Sequence, residues 1–409
     1  MMKCIFTVWL AARVGTLVLP GAVVLCMPAF VEAQDAKPRE PVVAGYLPTW
    51  SATPETIAAL PANALSHILY AFGSITEEGR AALGDPCRDI GNCGSGQTDG
   101  GNFAALVALK DRHPHLRVLI SLGGWSGSRY FSDAASTPDG RERLAASAID
   151  LFMVTHGDVF DGIDVDWEYP VEGGLPENIR RPEDRENFTL LIEEIRRQLD
   201  QIHPVGQRPL LTIATTGSPW FMRNIDVKAL APRVDWIGIM TYDYGAGAAV
   251  TTFNSPLFPA TPGDPAAPSV ASSVEAYLAA GAPPDRLVLG LPFYGRAYGD
   301  VDPGPLGDGL FQHSASAASH HWNSDTIPYR DLIAADPVSQ GYRHHRHAIA
   351  RVPWFYHPER RIWISYDDIE SLRDKAAFAR LRGLRGVMAW NLTRDDGALI
   401  EALGGSLID

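Results

Sequence analysis

Eight short runs rich in Val, Ile and Leu recur along this chain, and many end in a glycine or an aromatic residue. They are Val42–Trp50, Leu65–Gly73, Arg117–Trp125, Gly162–Tyr169, Leu210–Gly217, Val234–Tyr244, Leu287–Arg296 and Arg385–Leu392. Between them lie helical patterns. Phe103–Arg112, Asp139–His156 and Arg185–His203 repeat apolar residues at spacings of three and four. In the third, Phe188, Leu191, Ile192, Ile195 and Leu199 form one stripe, with Pro182 near its start as a first-turn proline. Asp368–Arg382 sets Ile369, Leu372, Ala376 and Phe378 roughly on one side. Strand alternating with helix predicts a parallel sheet, because parallel strands need a crossover between them. Eight such repeats favour an α/β fold of the closed (β/α)₈ barrel type over an open doubly wound sheet. No Gly-x-Gly-x-x-Gly turn follows the first run, which argues against a dinucleotide-binding sheet.

Barrels of this kind gather function at the C-terminal ends of their strands. Here those ends read Trp50, Gly73, Gly124-Trp125, Glu168-Tyr169, Thr216-Gly217, Tyr242-Asp243, Tyr294–Arg296 and Trp390-Asn391. One connection breaks the rhythm. About 66 residues, Ala297–Ile362, separate the seventh run from the next helix, far more than a usual loop. They carry Trp322, Tyr329, Tyr342, Trp354, Phe355 and Tyr356 and a β-like run over Arg361–Ser365. The expected organisation is a barrel over 34–296 and 363–409 with an α+β lobe inserted at 297–362. Within the lobe, His344-His345-Arg346-His347 has no acidic or cysteine neighbours and reads as a solvated basic turn rather than a metal site.

Residues 1–33 differ from the rest. Lys3 precedes a mostly apolar stretch over Val14–Phe30, and Val31-Glu32-Ala33 ends on a small residue. This reads as a secretory signal peptide cut near Ala33. Arg13, Gly15, Pro20 and Pro28 interrupt the run and speak against a retained membrane anchor. Losing Lys3, Arg13 and Glu32 takes the formal charge from −13 to −14. So acidic a protein is poorly suited to nucleic acid or anionic membranes, and a neutral polymer or small molecule is the natural partner. Cys87 and Cys93, close together in a Gly-rich segment of an exported chain, read as a short-loop disulfide. No metal or cofactor is called for, and a monomer is expected.

The fourth run carries the chemistry. In Phe160-Asp161-Gly162-Ile163-Asp164-Val165-Asp166-Trp167-Glu168-Tyr169-Pro170, strand alternation puts Asp164, Asp166 and Glu168 on one face. Ile163, Val165 and Trp167 take the other. Carboxyls in a buried row repel one another and lose hydration, so at least one proton should stay among them. A protonated carboxyl at a barrel mouth suits cleavage of a glycosidic bond, which needs acid assistance and an aromatic platform beneath the ring. Trp50, Trp125 and Trp390 are candidate platforms. Asp166 is either a nucleophile or the group that positions a nucleophile supplied by the substrate.

The chain also resembles the family 18 glycoside hydrolases, in particular chitinases with an inserted α+β domain, over roughly residues 42–403. Asp161, Asp164, Asp166 and Glu168 match the family's D-x-x-D-x-D-x-E signature. Ser121–Trp125, Met240–Asp243, Leu291–Arg296 and Gly386–Trp390 match its other strand motifs, in order. The resemblance implies a chitinase acting on chitin and chitooligosaccharides by substrate-assisted retention. Glu168 would be the acid, Asp166 the partner of the 2-acetamido group and Asp164 the sharer of its proton. Tyr242 would bond the acetamido oxygen, Asp243 would help position the sugar and Trp390 would lie beneath it. Tyr46, Met240, Tyr294 and Arg296 look like further sugar contacts. The resemblance also implies a cis peptide at Trp390-Asn391. Tyr242 and Asp243 are adjacent, so both reach one site only if their strand ends or bulges there. The competing readings are a sugar-binding lectin, which usually lacks the acid that Glu168 supplies, and an N-acetylglucosaminidase acting on N-glycans or peptidoglycan.

Overall fold

Each of the eight runs forms a strand in the computed structural model, which describes residues 40–94, 100–202, 208–261, 263–264, 266–317 and 325–407. They are β1 (Val42–Pro48), β2 (His67–Ile75), β3 (Arg117–Gly123), β4 (Gly162–Asp166), β5 (Leu210–Thr216), β6 (Trp236–Met240), β7 (Leu287–Pro292) and β8 (Gly386–Trp390). Neighbours pair in parallel and in chain order, and β1 bonds both β2 and β8, which closes the barrel. The expected leader and Trp322 lie outside the described residues. Among the described residues, no helix is long and apolar enough to cross a membrane.

Alternation along the strands sorts the core into two layers. Val42, Ala44, Tyr46, Leu69, Leu119, Trp236, Val288 and Met388 fill the barrel interior. Their neighbours Val43, Ile68, Val118, Ile163, Val165 and Leu211 face outward beneath the helices. Gly238 makes room in the inner layer, because a Cβ there would lie 2.5 Å from Met388 Sδ. Helix Asp184–Ile202 buries the predicted stripe of Phe188, Leu191, Ile192, Ile195 and Leu199. The pattern read as one helix over Asp139–His156 is instead an α-helix, Pro138–Ala148, continued by a π-turn, Ile149–Thr155.

All strands except β2 stop before the end of the run that announced them. The largest change is at the seventh, where β7 ends at Pro292 and Tyr294–Val301 starts a second, six-stranded antiparallel sheet. Tyr294, Gly295 and Arg296, which the sequence reading gave to the barrel, therefore lie on the first strand of this sheet. Its last strand, Ile362–Ser365, carries the chain back toward the barrel helix Ile369–Leu381. Phe253, Tyr298, Trp354, Tyr356 and Trp363 form its buried core, so most of the lobe's aromatic residues pack rather than bind. The histidine run is a strand, Arg343–Arg346, and not a turn. His345 stacks on Trp354 across the ladder with ring centres 4.9 Å apart. Among the described residues, no group of histidine, cysteine and acidic side chains is arranged to hold a metal.

Cys87 and Cys93 are joined by a disulfide. Asp161, the first acid of the signature, lies below β4, away from the barrel mouth. It accepts the Val118 amide at 2.8 Å and pairs with Lys110 at 2.9 Å and Arg117 at 3.2 Å. Replacing Asp161 with alanine strands that amide and two cations, and should cost about 1–3 kcal/mol in denaturant unfolding. The pH dependence of any activity should not move.

Candidate active site

Alternation along β4 holds through its end. Ile163, Val165 and Trp167 enter the outer core, where Trp167 stacks on Phe131 at 5.2 Å. Asp164, Asp166 and Glu168 point into the barrel and are 1%, 3% and 8% exposed. Three carboxyls in so dry a space cannot all ionise, and their partners decide which one does. Asp164 accepts hydrogen bonds from Thr212 Oγ1 at 2.6 Å, Ser121 Oγ at 2.8 Å and the Tyr46 hydroxyl at 3.0 Å. Burial pulls its pKa up and these donors oppose the pull. Asp166 has no such help: Oδ1 has no partner among the described residues. Burial, then the charges of Glu168 and Asp164, hold its pKa well above the carboxylate range. Glu168 is pushed up to about 7, chiefly by burial, with its Tyr169 hydrogen bond opposing. Burial raises all three, and within the row a negative charge is best supported on Asp164, which has the most donors.

The Glu168 backbone is clamped as well. Its amide donates to Ser128 Oγ at 2.8 Å, and its carbonyl accepts Asn178 Nδ2 at 2.9 Å. Ser128 in turn donates to Gly124 O at 2.8 Å, which ties the β3 and β4 loops together. Gly123 is required at this junction: its φ is +104°, and a Cβ would sit 2.4 Å from Asp166 O. The Glu168-Tyr169 and Trp390-Asn391 peptides are cis, the latter as the resemblance implied, and so is Ala71-Phe72.

A cavity of about 620 Å³ opens at this end of the barrel. Of the residues singled out in the sequence, Tyr46, Trp125, Asp166, Glu168, Met240, Tyr242, Asp243, Arg296 and Trp390 line it. Asp164 and Tyr294 stand one layer behind. Tyr294 donates its hydroxyl to Asp243 Oδ1 at 2.6 Å, so it braces a lining residue. Arg296 reaches from the second sheet and bridges Asp243 at 2.5 Å and Asp325 at 2.7 Å. Tyr242 and Asp243 both reach the cavity because β6 has ended at Met240 and Asp243 turns with φ +63°. Burial and the surrounding carboxylates keep the Tyr242 phenol protonated.

Trp390 forms part of an aromatic group with Tyr46 at 5.3 Å, Phe72 at 6.0 Å and Trp50 at 6.3 Å between ring centres. Trp50 and Trp125 stand 57% and 49% exposed. Trp50 and Phe72 also line a shallower depression with Ser74, Asp85 and Ser126. Tyr169 and Thr216, read as strand ends, also line the cavity, together with Ser218, Ala246, Asp325 and Thr326, which sequence reasoning missed. Another cavity, of about 540 Å³, lies at the opposite end of the barrel around His67, Arg117, Asp161 and Arg385. It is remote from the carboxyl row.

Residues 42–395 match the family model described as Glycosyl hydrolases family 18. The chain belongs to this family. Among family 18 relatives, it is 36% identical to Chitinase A1 of Niallia circulans over 91% of this chain, but spans 59% of that protein. The structure of Chitinase ChiA74 from Bacillus thuringiensis superposes with a TM-score of 0.82 at 30% identity, covering 90% of this chain and 70% of that one. A family 18 N-acetylglucosaminidase from Paenibacillus barengoltzii superposes at 0.75 and 31% identity, covering 90% of this chain and 100% of that one.

Burial of Glu168 has a measurable sign. Its folded pKa of about 7 lies above its value in the unfolded chain, so its ionisation weakens the fold as pH rises between the two. A Glu168→Gln variant cannot ionise there. It should melt higher than the parent at pH 8, with the gap closing as pH falls toward about 4. Thermal melts across that range check this, and a gap independent of pH would refute the assignment.

Proposed function

We propose that this family 18 member is a chitinase that hydrolyses β-1,4 bonds between N-acetylglucosamine units with retention at the anomeric carbon. The observation that carries this reading is Glu168, a carboxyl held protonated to about pH 7 within an aromatic-lined cavity. Likeness to chitinases over nine-tenths of the chain supports the substrate.

Glu168 gives its proton to the glycosidic oxygen as the bond to the anomeric carbon breaks. The 2-acetamido carbonyl oxygen on the same sugar attacks that carbon and forms an oxazolinium ion. Asp166 accepts the acetamido N–H on its unpartnered oxygen, and the proton it held shifts toward Asp164, so negative charge faces the cation. The Tyr242 hydroxyl donates to the acetamido oxygen and aligns it. Ionised Glu168 then takes a proton from water, which opens the ring from the same face and restores the acid. Trp390 supports the ring from below. Arg296, whose Nε has no partner among the described residues, supplies a donor to the sugar beside Asp243.

Trp50 and Trp125, exposed at the mouth, support a groove that follows a linear chain past the cleavage point. The likeness to an N-acetylglucosaminidase favours a second reading, release of single sugars, and product length separates the two. The leader expected over residues 1–33 and the Cys87–Cys93 disulfide support export into an oxidising compartment, with a monomer as the acting unit.

Chitin hexamer digests analysed by mass and anomer should give short β-anomeric products; α-anomers or single sugars alone would reject the reading. Fully deacetylated oligomers should remain uncut, since they lack the attacking group. Glu168→Gln should lose at least about 10³-fold in kcat while still binding chitooligomers. The kcat/KM of the parent should fall as pH rises past about 7, where Glu168 loses its proton.

A further inference from the structure

Outside the cavity lining lies a charge pair that the chemistry above does not use. Lys375 and Asp367 are both buried, with Nζ and Oδ1 2.6 Å apart. Ser371 Oγ also donates to Asp367 Oδ1, at 2.7 Å. Burying an ion pair is often no more stabilising than apolar packing, so its partners are informative. Lys375 Nζ donates to Ser255 Oγ at 2.8 Å. Burial lowers the Lys375 pKa and contact with Asp367 opposes the shift; Nζ acts as donor to Asp367 Oδ1 and Ser255 Oγ alike. The one hydroxyl hydrogen of Ser255 is therefore directed away from Lys375. It goes to the Thr241 carbonyl at 2.6 Å. Thr241 Oγ1 is tied to Gly290 O on β7, also at 2.6 Å.

Thr241 is the first residue past β6, and Tyr242 follows it. The ladder no longer holds the chain there, and the next residue takes φ +63°, a conformation uncommon for a side-chain-bearing residue. Asn254, beside Ser255, closes the other side of this turn: its Oδ1 accepts the Asp243 amide at 3.1 Å and its carbonyl the Tyr244 amide at 3.2 Å. The Asn254 amide donates to Ser365 Oγ at 2.9 Å, on the last strand of the second sheet.

We infer that Ser255, oriented by the buried Lys375–Asp367 pair, is a positioning residue that holds Tyr242 in place for catalysis. The inference rests on the role given to Tyr242 above. Ser255 touches no substrate and acts through one carbonyl. Removing its hydroxyl leaves the charge pair and the fold in place and frees the Thr241–Tyr242 peptide to tilt.

The test is a double-mutant cycle of Ser255→Ala and Tyr242→Phe, with kcat and KM on a chitooligosaccharide and a melting curve for each variant. Ser255→Ala should lower kcat about tenfold to a hundredfold, with KM changed less than about twofold. In the Tyr242→Phe background the same substitution should cost nothing further, because the group it positions is gone. Lys375→Met should show the same non-additivity, including when assayed well below its own melting transition. An unchanged kcat in Ser255→Ala, or an equal fold-loss with and without the Tyr242 hydroxyl, overturns the inference. A parental kcat in Tyr242→Phe instead removes the role of Tyr242 and so marks the other failure.

Discussion

Mutual repulsion among three dehydrated carboxyls is the constraint around which this molecule is arranged. Asp164, Asp166 and Glu168 share one side of a short strand inside a barrel that otherwise holds apolar and aromatic side chains. Water would relieve the repulsion, and burial limits how much can reach the row. The protein relieves it unevenly instead. Three hydroxyls gather on Asp164, and Asp166 Oδ1 receives no partner among the described residues. Charge is accordingly best supported at the base of the row, and burial favours the protonated form toward the mouth. The gradient is set by neighbours rather than by the carboxyls themselves.

The fold was legible because period-two alternation and eight-fold repetition are strong signals that survive without tertiary knowledge. The carboxyl row and its facing followed from the same alternation. What could not be read were the groups that grade the row. Ser121 and Thr212 look like any hydroxyl on a strand, and Ser128 and Asn178 like loop residues. Their roles come from register across strands and from loop closure. The misplaced end of the seventh run has a similar root. Leu287–Arg296 reads as one apolar run, and nothing local marks the break after Pro292 at which the chain leaves one sheet for another. The resemblance gave Tyr294 as a sugar contact; in the structure its hydroxyl donates to Asp243 Oδ1.

The second sheet is more than an added wall. Its first strand delivers Arg296 to Asp243, and its last delivers Ser365 to Asn254. Both contacts meet the turn that follows β6, where the barrel ladder has already stopped. The lobe packs around its own aromatic core, and the barrel supplies the opposing anchor through Gly290. A turn held from two sides can keep a geometry that neither would impose alone.

Two indoles in this protein differ from most of the others in their surroundings. Trp167, Trp236, Trp354 and Trp363 are buried, whereas Trp50 and Trp125 stand half in water. An occupant lying along the groove would dehydrate those two and leave the interior set unchanged. Emission from the exposed pair would then shift to shorter wavelength against a constant background. The molecule thus contains a built-in optical gauge of how much of its groove is filled.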